Sequence, residues 1–309
     1  MYREAVRYLL VGVLLAGCGT EAAPLARAPG PTTLPAPAPP ASSVAVAVAV
    51  AVAVAVDAAP ALPPDTYADL GAALAAVITP EVRVIGIGEL HSRVDRAQVT
   101  STLARFTAAL PRIGDRVSDL IVETWVVDPT CGRAAQQTTA KVEADVKRPT
   151  ATKTEIQVLA EAARAHQIQP HAMTLTCADY KALAAKGGEP DLEVMLSLTT
   201  RELGRIAASA VAHRDKDPAH RPWIVVYGGA LHNDRTPAPA LAEWSYAALA
   251  DKVTAGRFLE LDLIVPELAG ADPTSQRQPW FAQVLAADDH VHVVRRDERS
   301  LVIILPRAR

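Results

Sequence analysis

Aromatic side chains make up only 4% of the chain, too few for the stacking surfaces that hold single-stranded nucleic acid or sugars. There are three cysteines and none is spaced as CxxC, which excludes a disulfide scaffold and a zinc ribbon. Positive charge has no surplus: 31 Lys and Arg stand against 34 Asp and Glu, a net charge of −3. No nucleic-acid partner is expected from that balance. No apolar run reaches the ~20 residues that a membrane-crossing helix needs. What the chain does have is length, 309 residues of which half are hydrophobic, enough for one large core or two small ones.

The first residues read as a targeting segment. Arg3 and Arg7 make a positive n-region, and Tyr8 to Ala16 is a short apolar h-region. The run ends in Leu15-Ala16-Gly17-Cys18, which resembles the bacterial lipobox, whose cysteine is acylated and becomes the new N-terminus. An ordinary signal peptide with a chance cysteine is the competing reading. The expectation is a lipoprotein signal peptide over residues 1–17 and a membrane-lipid partner held through acylated Cys18. Each buried CH₂ of the acyl chains adds roughly 0.8 kcal/mol of anchoring. The implied location is a bacterial cell envelope, periplasm-facing or on the outer-membrane surface, where disulfides persist.

Residues 18–64 carry no fold signal. Ten of the 24 prolines fall between Pro24 and Pro64, and Val44 to Val56 is a strict Val-Ala alternation. Alternation of two apolar types leaves no polar face, so the stretch reads as a semi-rigid, low-complexity tether. An aggregation-prone strand is its alternative.

From Asp65 onward short β-rich runs alternate with helical spacing. Strands are expected at 83–88, 119–123, 171–176, 223–227 and 257–264, with a closing hairpin from 291–294 and 301–305. Helices are expected at 96–110, 152–166 (opened by Thr152 and Glu155 at capping-box spacing), 191–212 and 240–250. This order implies an α/β fold over residues 65–309, one domain with a mainly parallel central sheet, helices on both faces and a C-terminal β-hairpin.

Ligands of such sheets bind beyond the carboxyl ends of the strands. The first strand there delivers Gly88-Glu89-Leu90-His91, the second Glu123, and the fourth Gly229-Ala230-Leu231-His232. Two of these strand ends carry the same phrase, Gly-x-x-His. A carboxylate after a buried strand costs free energy unless it is paired or ligated. Two histidines with one or two glutamates form a common shell for a catalytic divalent metal with an open position. Glu89, His91, Glu123 and His232 are therefore the candidate catalytic and metal-binding residues.

Those three phrases resemble the superfamily that groups ChaN-like haem-uptake lipoproteins, erythromycin-esterase-like hydrolases and TraB/Tiki proteins. The resemblance spans roughly Val82 to Glu267 and rests on about a dozen residues. It implies an α/β core and one of two activities. One is a metal-dependent hydrolase of ester or peptide bonds, with His91 and His232 as ligands or His91 as general base. The other is capture of haem or another ligand without catalysis. The chain departs from the ChaN pattern at Ser92-Arg93, and no one of Tyr180, Tyr227 and Tyr246 stands out from the sequence as a haem ligand.

Other residues have weaker claims. Arg93 and Arg96 can orient an anionic substrate or simply form a solvated first helical turn. Glu260 and Asp262 share one face of a strand and either line the site or face water. His290 and His292 share a strand face as a metal pair or as part of an exposed edge. His166 and His171 read as structural. Cys131 and Cys177 both follow strand ends, and an oxidising compartment favours a disulfide between them. Replacing Cys18 by Ser is expected to abolish palmitate labelling and to leave the protein soluble or retained at the inner membrane. Labelling and fractionation like wild type would overturn the lipobox reading.

Overall fold

The computed structural model describes residues 65–184, 190–217 and 219–307. The expected signal peptide, Cys18 and the tether lie outside the described residues. Within them, the apolar runs pair into one eight-stranded sheet. Its strands are β1 (Asp65–Tyr67), β2 (Val84–Glu89), β3 (Val117–Val126), β4 (Gln169–Thr174), β5 (Trp223–Gly229), β6 (Phe258–Ile264), β7 (Val291–Asp297) and β8 (Ser300–Ile304). Their order across the sheet is β1-β7-β8-β6-β2-β5-β3-β4.

The five strands from β6 to β4 run parallel, as does β8 beside β6. Every residue of β2, β5 and β6 is buried. That is why β2 and β5 read as continuous runs without alternating polar residues, whereas β6 interposes Glu260 and Asp262 between its leucines. Burying a Val, Leu or Ile side chain contributes roughly 1.5–3 kcal/mol, so the centre of the sheet is the most strongly held part of the fold. One face packs on α1 (Leu70–Val77), α2 (Thr102–Ala109) and, further along the chain, α4 (Ala151–Ala165), through Leu74, Phe106, Leu110 and Leu159. The other face packs on α6 (Leu192–Arg214) and α8 (Ala247–Thr254), through Leu203, Ala207, Tyr246 and Ala250. Helices thus cover both faces, as expected. No helix among the described residues is long and apolar enough to cross a membrane.

Three details depart from the sequence reading. The closing hairpin is not the edge of the sheet, because β1 pairs antiparallel with β7 outside it. The expected helix over 96–110 shortens to α2, whose N-cap Ser101 accepts the Ala104 amide. Helix α4 begins at Ala151 without the Thr152–Glu155 capping box. Glu155 instead accepts the Ser101 hydroxyl at 2.8 Å, joining α4 to α2.

Two further helices fill the space beyond β3. Helix α3 (Gly132–Val146) buries only Ala135, Thr138 and Val142. Helix α5 (Cys177–Leu183) is closed at its N-terminus by a capping box of Thr176 and Asp179. The two are joined by a disulfide between Cys131 and Cys177, 46 residues apart. Ala135, Tyr180, Leu183 and Leu198 form a small core beneath the bond.

A closed loop of that length stabilises the fold by about 4 kcal/mol in the chain-entropy account, before any native-state strain. Reduction, or the double variant Cys131→Ala/Cys177→Ala, is expected to lower the unfolding free energy obtained from denaturant titration by an amount of that order. A linked Cys131–Cys177 peptide should appear in non-reduced digests. Identical unfolding curves with and without reductant would contradict the bond.

Candidate functional site

Strands β2, β5 and β3 are neighbours, and their carboxyl ends place Glu89, Gly229 and Glu123 along one rim of the sheet. In register, Glu89 lies opposite Gly229. Strand β3 pairs regularly with β4 up to Val122, and the register then shifts before Trp125. Glu123 sits in that irregularity. Its carboxylate lies against Gly228, where an added Cβ would stand 2.7 Å from Glu123 Oε2. A Cβ on Gly229 would stand 2.9 Å from His91 Nε2. The glycines at the end of β5 are thus needed for space.

His91 lies in the irregular chain after β2. Its Nδ1 is 2.8 Å from Glu89 Oε1. Its Nε2 is 2.6 Å from Arg148 Nη2, and the same Arg148 nitrogen donates to Glu123 Oε1 at 2.8 Å. A carboxylate only accepts and a guanidinium only donates. The network therefore assigns the hydrogen to Nδ1 and a lone pair to Nε2. Glu89 is in turn held by the Tyr227 hydroxyl, which donates to Oε2 at 2.5 Å, and Tyr227 is stacked on Phe106 of α2 with ring centroids 5.0 Å apart. Glu123 Oε2 accepts the Gly229 amide at 2.5 Å. The result is one chain of bonds: Tyr227, Glu89, His91, Arg148, Glu123 and the Gly229 backbone.

Electrostatics follow from that chain. Burial alone would raise the Glu123 carboxyl, but His91 and Arg148, with a smaller part from His232, hold it well below its ordinary range. For His91, desolvation and the Arg148 charge oppose protonation. Glu123 and Glu89 outweigh them, so its pKa stands above that of free imidazole. Desolvation, and then the charge of Glu89, push the Tyr227 hydroxyl well up, and it remains a donor.

His232 comes from a four-residue helical turn, α7 (Ala230–Asn233), and is buried. Its Nδ1 is 2.9 Å from the Trp244 carbonyl and 2.8 Å from Thr200 Oγ1. The carbonyl can only accept, which assigns the hydrogen to Nδ1. Burial is the main cause that lowers its pKa, so it is neutral near pH 7.

Of the four residues expected to share an ion, Glu89, His91 and Glu123 make direct contact, and His232 lies within their electrostatic reach. Arg148 places a fixed cation between His91 Nε2 and Glu123, and no three His, Cys, Asp or Glu converge on a common point among the described residues.

The arginine at the site is Arg148, which the sequence reading missed. It lies in the α3–α4 turn, beyond a helix whose sparse apolar spacing gave no signal. Arg93 pairs with Asp95 at the surface, and Arg96 lies in the same irregular segment away from the bonds just described. Asp262 and Glu260 face the buried side of β6, where Arg296 serves both; Asn233 also donates to Asp262. Desolvation and the neighbouring Asp262 raise Glu260 to about 7. His290 and His292 both contact Asp288. His171 pairs with Asp119 at the opposite end of β3, where Arg214 completes the group.

Next to Arg148 opens a cavity of about 800 Å³. Strand β3, helices α3, α4 and α6, and the turn carrying Arg148 form its walls, with Glu123 and Arg148 among its lining. A second cavity, of about 10 Å³, touches Glu89, His91, Ser101 and Glu155 and has the size of one water molecule.

No known family's sequence profile matches the chain, and neither does any curated protein. Among solved structures, the type III effector HopBA1 matches at 16% identity, over 80% of this chain and 97% of that one, with a TM-score of 0.39. That likeness is too slight to bear on function.

Proposed function

We propose that the protein is a hydrolase of ester or peptide bonds in which His91 is the general base. It is held at a bacterial envelope surface through acylated Cys18. The observation that carries the reading is the state of His91. Its Nδ1–H is committed to Glu89, and its Nε2 lone pair lies beside an arginine that lines a cavity large enough for a substrate.

The chemistry follows in order. A substrate carbonyl draws the Arg148 guanidinium off His91 Nε2, and a water takes its place. Nε2 removes a proton as the water oxygen bonds to the carbonyl carbon. The negative charge that develops on the carbonyl oxygen is met by Arg148. The bond to the leaving oxygen or nitrogen then breaks, and that atom takes the proton from Nε2. Glu89 keeps the imidazole in the right tautomer throughout, and anionic Glu123, 3.4 Å from Nε2, favours the imidazolium that forms in between.

The metal-assisted form of this hydrolysis would take His91, Glu123 and His232 as ligands, and needs Arg148 to leave the space between the first two. Haem capture without catalysis is the remaining reading.

With p-nitrophenyl acetate as probe, His91→Ala is expected to cost roughly 10²–10⁴ in kcat/KM with a melting temperature near wild type, and Arg148→Met about 10²–10³ with a lowered melting temperature, because mostly buried Glu123 loses its cation. Because Nε2 must be unprotonated and its pKa is raised, kcat/KM should rise with pH through a midpoint above the ordinary imidazole value of about 6.5. It should be lost below that midpoint. Metal content and a haem titration accompany the assay. Stoichiometric divalent metal that disappears in His91→Ala would favour the metal-assisted form. A Soret shift with no turnover would favour haem capture.

A further inference from the structure

The cavity beside Arg148 is built from two kinds of surface. Trp125, Val142, Val146, Ile156, Met173 and Met195 give it apolar walls. Its charged residues separate into two groups. Lys147, Lys153 and Glu143 are exposed, and Lys153 pairs with Glu143 there at 2.8 Å. Glu123 and Arg148 are mostly buried, with side chains 12% and 24% exposed, and they carry the bonds to His91 and the sheet rim. A ligand that fits must therefore present a long apolar part to the walls and a carbonyl or carboxylate oxygen to the Arg148 guanidinium. Two thioethers in the wall suit this role, since methionine adapts to apolar ligands of varied shape. At about 800 Å³ the space is in the range of pockets that enclose whole small molecules, far more than an acetyl group fills.

We infer that the substrate is an ester with an extended apolar acyl chain. The chain lies along the α3–α4 wall, and the carbonyl points to Arg148 and His91. Hydrolysis adds water across the acyl C–O bond and yields a carboxylic acid and an alcohol. The carboxylate product keeps its contact with Arg148, so it also binds. The inference rests on the hydrolytic reading for turnover and on the cavity alone for binding, and the two are separable.

The test compares p-nitrophenyl octanoate with p-nitrophenyl acetate on the full-length protein and measures octanoate binding by calorimetry. The octanoate ester is expected to exceed the acetate ester in kcat/KM by at least roughly tenfold, since each methylene in an apolar pocket discriminates on that scale. Met195→Trp, which fills the wall, should bring that ratio toward one and weaken octanoate binding; its melting temperature reports whether it folds. Ile156→Trp is a second variant on the opposite helix. Turnover of both esters at a ratio near one would overturn the acyl-chain inference and leave the hydrolase standing. Octanoate binding that both tryptophan variants weaken, without turnover of either ester, would support the cavity's ligand class and overturn the hydrolase. Absence of both binding and turnover would overturn both.

Discussion

A guanidinium can only donate hydrogen bonds, so the position of Arg148 against His91 decides the state of the whole site. It makes Nε2 an acceptor, which leaves Nδ1 as the donor to Glu89. It also neutralises Glu123, whose burial would otherwise be costly. Remove that one cation and an anionic carboxylate and an imidazole are left to settle a proton between them. The arrangement depends in turn on the α3–α4 turn. That turn is followed by α4, which packs on the sheet, and preceded by α3, whose far end is tied to α5 by the disulfide.

The two Gly-x-x-His phrases show how identical words acquire different roles. After β2 the chain runs out in irregular conformation, and His91 stands beside Arg148 with 30% of its side chain exposed. After β5 the chain turns at once into α7, which carries His232 beneath the rim, against Thr200 of α6 and the Trp244 carbonyl. Both imidazoles carry their hydrogen on Nδ1, but only one sits on the bond chain with Arg148. A spacing can bring two histidines to the same edge of a sheet; the backbone that follows each strand decides where each side chain goes.

Much of the fold was legible because its central strands are buried on both faces. Strands β2 and β5 read as runs without alternating polar residues, and the long spacing of Leu203 and Ile206 foretold α6. The strand ends located Glu89, His91 and Glu123 for the same reason, since polar residues there stand out against what precedes them. Helix α3 and Arg148 were hidden. Three buried positions in fifteen residues are too few for a periodic signal. The end of α3 is also concealed, because Lys147 takes the left-handed conformation, φ 50°, where a glycine would have marked a stop. Asp262 and Glu260 showed their shared face in the sequence, but the partner that occupies them, Arg296, lies on another strand. The outer strand β1 was missed because three residues carry no period at all.

Those last three residues bear on how the molecule tolerates crowding. A sheet edge is a template on which another chain can extend the ladder, and aggregation starts from long, flat, unblocked edges. On one side the sheet stops at β1, three residues long with Asp65 and Thr66 exposed. On the other it stops at β4, where Pro170 supplies no amide hydrogen. Among the described residues, the β1 border is short and the β4 border is interrupted at Pro170. The apolar runs that form the centre of the sheet are the segments most prone to fibril formation if exposed, and among the described residues they lie inside these two borders.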